Sequence, residues 1–262
     1  MHKRFWQDLT TLEFRGLDVE RTIAVLPIAA VEQHGPHLPV STDTEIANGM
    51  MAETLKLLPS DLAALFLPVQ AIGKSNEHIR SPGTLTFSAQ TAIAAWTEIG
   101  ESVARAGVRK LVMVNSHGGN VDVIAIVARE LRVRHNMLAV ACQWSRLGSP
   151  PGLYTEQESA VGIHAGDMET SLMLHFRPDL VDMAKARDFE PATVEISRTF
   201  DLLRPTGYTS FGWIAQDLNA DGACGDASRG TAEKGRLTAA HRAGQFVRLL
   251  RDVERFELRR LG

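Results

Sequence analysis

The chain reads as an α/β protein, a three-layer αβα sandwich around a mostly parallel sheet, and three observations predict it. Short apolar runs alternate with helix-length stretches through the first half. The helix-length stretches carry apolar residues at helical spacing, while the runs are only strand-length. No linker, internal repeat or low-complexity segment interrupts the pattern, so residues 1–262 are expected to form a single domain. Parallel strands joined by helices require right-handed crossovers, which put helices on both faces of the sheet.

Residues 22–31 are nearly all apolar, with one proline, and predict a buried strand. Asp43 and Thr44 are good helix starts, apolar residues follow at helical spacing over 44–58, and Pro59-Ser60 ends that helix. A second strand is expected at 65–69. The stretch 73–84, rich in Gly, Pro, Ser and charge, is expected as a loop. Residues 88–106 predict a helix that starts on a serine cap and closes at Gly107. A strand over 110–115, a helix over 121–134 and a strand over 137–141 continue the alternation. Helices are expected at 168–176 and 231–258, with an irregular Gly- and Pro-rich region between them that includes Arg204-Pro205-Thr206-Gly207.

Composition narrows the function. Hydrophobic residues make up 44%, charged residues 23%, and the net charge of −3 gives no pull toward nucleic acid or anionic membrane. The two cysteines, Cys142 and Cys224, sit in no paired metal spacing. A reducing cytoplasm is the expected setting, with Cys142 a core thiol. The stretch Met1-His2-Lys3-Arg4-Phe5-Trp6 lacks the apolar region of a signal peptide, and no apolar run approaches the roughly 18 residues that span a bilayer.

Three segments carry chemistry. Glu32-Gln33-His34-Gly35-Pro36-His37-Leu38-Pro39, with Thr42-Asp43 behind it, packs carboxylates and imidazoles directly after the first strand. Asn115-Ser116-His117-Gly118-Gly119-Asn120 follows a later strand in the same way, and His164-Ala165-Gly166-Asp167-Met168-Glu169-Thr170-Ser171 opens a helix. Ligands in parallel sheets bind beyond the carboxyl ends of strands, so the first two segments are expected on one rim. Together they offer O and N ligands and no thiolate, which suits a hydrolytic Zn, Mn or Fe centre better than a structural zinc.

Each residue also has an ordinary reading. Glu32 and His34, two apart in an extended strand end, point to one side and can share a cluster. Asp43 is either an N-cap or a carboxylate that bridges two metals. His117 is either a core histidine or a ligand, and the Gly118-Gly119 pair beside it allows backbone to approach a bound group. Glu169 is either a first-turn helix acid or a ligand. Trp144 is either a core aromatic or a wall for a flat heterocycle. His78, in the loop before Pro82, is either a surface histidine or a substrate contact.

These motifs, with Glu77-His78 before Ser81-Pro82-Gly83-Thr84 and the late Gly225-Asp226 and Thr231-Ala232-Glu233-Lys234-Gly235, resemble the creatininase (creatinine amidohydrolase) family over most of the chain. That family comprises metal-dependent amidohydrolases with a three-layer αβα fold, among them creatininase itself, formamidopyrimidine-nucleotide deformylases and mycofactocin-precursor peptidases. The resemblance implies that Glu32, His34, Asp43 and His117 ligate two divalent ions, with Asp43 bridging. It also implies a homo-oligomer, a hexamer in creatininase relatives.

Two departures bear on substrate. Creatininase proper has a metal-binding glutamate where this chain has Gly119, and Glu169, in the matching Glu-Thr-Ser neighbourhood, is assigned as the replacement ligand. It also has a glutamate where this chain has Ile163, with a tryptophan just upstream that has no counterpart here. The expectation is therefore hydrolysis of a non-peptide C–N bond, a cyclic amide or a formamide, by a metal-activated water. His164 is then the acid to the leaving nitrogen, and Glu169 moves protons where it is not fully used as a ligand. The rivals are a hydrolase of short peptides and a catalytically idle metal- or ligand-binding homologue.

Overall fold

Apolar alternation along the strands places each side chain on one of two faces. The computed structural model describes residues 3–261, so Met1 and His2 of the stretch read above for a targeting signal lie outside the described residues. In chain order, α1 (Thr11–Arg15) leads to β1 (Ile23–Ile28), α2 (Thr42–Leu57), β2 (Ala64–Phe66), α3 (Ala89–Arg105), β3 (Lys110–Asn115), α4 (Val121–His135) and β4 (Leu138–Gln143). Then come α5 (Glu156–Val161), α6 (Asp167–Phe176), β5 (Asp188–Phe189), α7 (Thr193–Thr199), α8 (Ala215–Leu218), β6 (Gly225–Asp226) and α9 (Ala232–Arg255), with 3-10 turns between several of them.

The main sheet has the order β2-β1-β3-β4, and every pairing in it is parallel. Ile23 and Val25 of β1 and Val112 and Val114 of β3 pack with Met50 of α2, Leu172 of α6 and Phe246 of α9. Their neighbours Ala24, Leu26, Leu111 and Met113 pack instead with Trp96 of α3 and Val127 of α4. Strand periodicity of two therefore builds two cores, one on each side of the sheet. This is the mostly parallel α/β arrangement that the alternation predicts.

The strands are shorter than the apolar runs that hold them. The expected strand over 22–31 is regular only to Ile28, although Ala29 and Ala30 remain fully buried beyond it. Pro27 is tolerated because odd positions of β1 face β2, as Ile23 N–H donating to Ala63 O shows, and β2 has stopped at Phe66 before it reaches Pro27. The strand expected at 65–69 is likewise cut short, with Pro68 unable to donate to the ladder. Helix α3 starts on the expected cap, with Ser88 Oγ accepting from Thr91 N–H at 3.1 Å. The irregular region after α6 contains a two-residue antiparallel pair, β5 with β6, and short helical turns that local periodicity does not reveal. Cys142 is a half-buried thiol on the outer strand β4, and both cysteines are free.

Candidate metal centre

Each functional side chain is presented by the end of a regular element. Gly35, in the left-handed region at φ 67°, turns the chain after β1 so that His34 bridges to Leu38. Asp43 lies inside the first turn of α2, after Ser41 at the N-cap, so the capping reading does not hold for it. His117 follows β3 directly, its N–H held by Asn115 Oδ1 at 3.1 Å. Glu169 sits in the first turn of α6, and its Oε2 accepts from Ala165 N–H at 2.6 Å. Ala165 is held at φ 55°, a costly conformation for a side chain with a Cβ.

These residues converge. His117 Nδ1 lies 3.0 Å from Glu32 Oε1 and 3.4 Å from Asp43 Oδ2, and His34 Nε2 lies 3.6 Å from Asp43 Oδ1 and 3.8 Å from Glu169 Oε2. Two trios that could hold an ion result, Glu32 with Asp43 and His117, and His34 with Asp43 and Glu169, each with its N or O atoms within 4.8 Å of one another. Asp43 belongs to both. Glu32 with His34 and His164 forms a third grouping of the same kind.

The donor set fits divalent ions. Both carboxylate oxygens of Glu32, Asp43 Oδ2 and His34 Nε2 are buried and enter no hydrogen bond among the described residues. Buried polar atoms of this kind are costly unless something pairs with them. The outer nitrogens are already used: His34 Nδ1–H donates to Glu32 O at 3.1 Å, His117 Nε2–H to Lys74 O at 3.0 Å and His164 Nε2–H to Gln33 O at 2.7 Å. Each bond fixes the ring so that the other nitrogen faces inward.

Electrostatics tell the same story. Burial alone would lower His34, but the Asp43, Glu169 and Glu32 carboxylates overcome it and hold the imidazole up at about 9. Burial likewise opposes charge on His117, and Glu32, Glu77 and Asp43 raise it well above the usual histidine value. Asp43 is itself pushed up by burial. The metal-free centre thus holds protons where cations would neutralise the same carboxylates. His164 goes the other way, lowered to about 3 by burial and then by the charge on His34.

A cavity of about 550 Å³ opens on this centre, lined by Glu32, His117 and His164 and by His78, Gly118 and Gly119. Trp144 is not among its walls: it is 1% exposed and packs in the core against Phe246, because the chain turns inward directly after β4. The aromatic walls are Phe211 and Trp213, carried by the irregular region that local patterns leave unread. Glu77, next to His78 in sequence, also lines the cavity, although its spacing does not single it out. A Cβ at Gly119 would lie 2.0 Å from Glu77 Oε1, so the Glu77 carboxylate fills the space that a side chain at 119 would need. It stands 3.4 Å from His117 Nε2.

Comparisons with known proteins agree with this architecture. The family model Creatininase, described as creatinine amidohydrolase, matches residues 7–250. A mycofactocin precursor peptide peptidase of Mycobacterium ulcerans is 32% identical over 230 residues, covering 85% of this chain and 82% of that protein. A creatinine amidohydrolase of Pseudomonas putida is 32% identical over 187 residues, covering 65% of this chain and 70% of that one. A mutant creatininase of Zn-Zn type superposes with a TM-score of 0.75 at 25% identity, covering 96% of this chain and 98% of the other. With the match running from before β1 nearly to the end of α9, the chain belongs to the creatininase family.

Proposed function

We propose that the protein hydrolyses an amide-type C–N bond in a small non-peptide substrate, a cyclic amide or a formamide, with two divalent ions drawn from Zn, Mn and Fe. The observation that carries this reading is the group of unpaired buried atoms on Glu32, His34 and Asp43, clustered behind a cavity that Glu32 lines. Glu32, Asp43 and His117 would hold one ion, and His34, Asp43 and Glu169 the other. Such ions supply a water of lowered pKa and polarise the substrate carbonyl.

The chain's own residues do the rest. His164, its Nε2–H committed to Gln33 O, presents a bare Nδ1 to the site. Burial keeps it neutral near pH 7, so Nδ1 can accept a proton from the attacking water, and its weak hold on that proton favours passing it on to the leaving nitrogen. Glu169 anchors the second ligand trio and, with its side chain 24% exposed, assists that transfer from the open side. Phe211 and Trp213 wall the substrate, and Gly118, with open space where a Cβ would stand, lets it approach the backbone, while the open side of Gly119 is taken by Glu77.

A peptidase reading is favoured by a second cavity of about 480 Å³ that shares Gly118, Ile163 and Thr206 with the first and reaches Glu169. An extended substrate would use both. The deciding experiment is a hydrolysis screen of chelator-stripped and metal-reconstituted protein against formamides, cyclic ureides, creatinine and short peptides. Metal-dependent turnover of a formamide or cyclic amide is expected. Turnover confined to peptides would transfer the assignment to the second reading, and full activity without metal would overturn both.

A further inference from the structure

His78 differs from the other imidazoles at the centre in what holds its outer nitrogen. The outer nitrogens of His34, His117 and His164 each donate to a backbone carbonyl, which turns the inner nitrogen toward the centre, where it can bind a metal once it carries no proton. The outer Nδ1 of His78 instead faces the side-chain amide of Gln33, 2.8 Å from Nε2.

The orientation of that amide is settled by its other partners. Gln33 Oε1 accepts from Gly35 N–H at 2.9 Å, and Gln33 Nε2 donates to Gly222 O at 2.7 Å. Turning the amide over would set donor against donor at Gly35 and acceptor against acceptor at Gly222. Gly222 is fitted to this arrangement: it sits at φ +75°, and a Cβ there would come within 2.6 Å of the Gln33 amide. The two amide hydrogens therefore go to Gly222 O and His78 Nδ1. The close approach to His164 Nε2, at 3.2 Å, is left without a hydrogen, as expected where His164 itself donates to Gln33 O.

An Nδ1 that accepts cannot carry the proton, so the proton of the neutral ring sits on Nε2. That nitrogen is aimed at the centre, 3.4 Å from Glu32 Oε1, on a side chain that lines the cavity. It has no lone pair to give a metal. It is also in no hydrogen bond among the described residues.

We infer that His78 acts as a neutral hydrogen-bond donor, giving its Nε2–H to the carbonyl oxygen of the bound amide as negative charge develops there, and that Gln33 is the positioning residue that fixes this tautomer. The inference rests on the hydrolase reading given above. A preorganised donor of this kind stabilises the oxyanion more than the ground-state carbonyl, so it acts on kcat more than on KM.

The test uses the zinc-loaded full chain labelled with 15N, zinc being diamagnetic, and inorganic phosphate as a tetrahedral oxyanion probe. Two-bond 15N–1H spectra, with His78 assigned by its loss in His78→Gln, should show the Nε2–H tautomer. Phosphate should shift the His78 Nε2–H resonance. His78→Ala should keep the zinc content of the parent and weaken phosphate binding by about tenfold or more, the worth of one charge-assisted hydrogen bond, with partial rescue in His78→Gln. In Gln33→Glu, whose carboxylate accepts rather than donates, His78 should switch to the Nδ1–H tautomer at unchanged zinc content.

An Nδ1–H tautomer in the parent, zinc lost from His78→Ala, or unchanged phosphate affinity in that variant would each overturn the inference. Failure of the parent itself to bind zinc would instead sink the hydrolase reading and this inference with it. The zinc content of parent and variant, measured side by side, separates the two failures.

Discussion

His34 and His164 are in ring contact, with centroids 4.2 Å apart, yet burial and neighbouring charge drive them to opposite protonation states. In the metal-free protein, His34 at about 9 is raised above its ordinary 6.5, so its stabilisation is fully present below 6.5 and is lost as pH rises through about 9. His164 at about 3 and His37 at about 4 are lowered by burial, so their unfolded forms bind protons first and stability falls as pH drops below 6.5. The Tm of the stripped protein should therefore peak near pH 6.5, declining above it as His34 loses its advantage and below it as His164 and His37 resist protonation. Calorimetry across pH checks it, and a Tm that is flat on both sides would contradict the assignments. Zinc must displace the protons on His34 and His117, so binding should release protons and tighten with pH up to about 9, as titration calorimetry in buffers of different ionisation enthalpy reads directly. His164→Asn should keep the metal and lose about 10² to 10⁴ in kcat. Metal loss in that variant would move His164 into the ligand set, in keeping with its grouping with Glu32 and His34.

Helix α6 carries Glu169, and its amino end is fastened by contacts that have no role in the chemistry. The buried Glu158 carboxylate accepts from Asp167 N–H at 2.7 Å and from Asp226 N–H at 3.0 Å, joining α5, α6 and β6 at one point. Lys234 of α9 pairs with the fully buried Asp167 at 2.6 Å, which binds α6 to the long helix. The junction leaves no room for a methyl group: a Cβ at Gly225 would come 2.8 Å from Gly166 Cα and 2.9 Å from both Glu158 oxygens, at φ +141°. Gly225→Ala should cost about 1–3 kcal/mol in urea unfolding, as overpacking does. Metal binding should weaken in parallel, because displacing α6 moves Glu169 away from His34. Unchanged stability would show that the junction yields. Local sequence reveals α6 through its spacing but not this fastening, whose partners lie at 158, 226 and 234.

Substrate selection belongs to the whole molecule, since the cavity walls come from the β3 rim, the loop at 74–78, Ile163 and the segment at 205–214. Creatinine is expected to be a poor substrate, because Gly119 and Ile163 replace carboxylates of creatininase proper and Glu77 already fills the space beside Gly119. Loss of a proton-transferring carboxylate falls on the transition state, so the deficit should appear in kcat. A creatinine kcat/KM at or above the best formamide or cyclic amide in the screen would refute this. The alternation of strands and helices, the parallel sheet, and the convergence of the Glu32–His34 and His117 segments are legible in the chain, because a period of two or 3.6 and the polarity of a crossover are local properties. Tertiary structure alone decided that Asp43 faces the cluster instead of capping α2, that Trp213 and not Trp144 walls the cavity, and which nitrogen of each histidine turns inward. Those outcomes depend on partners far along the chain, such as Gly222 for Gln33 and Gln33 for His78, and no local pattern encodes a hydrogen bond between residues that only folding brings together.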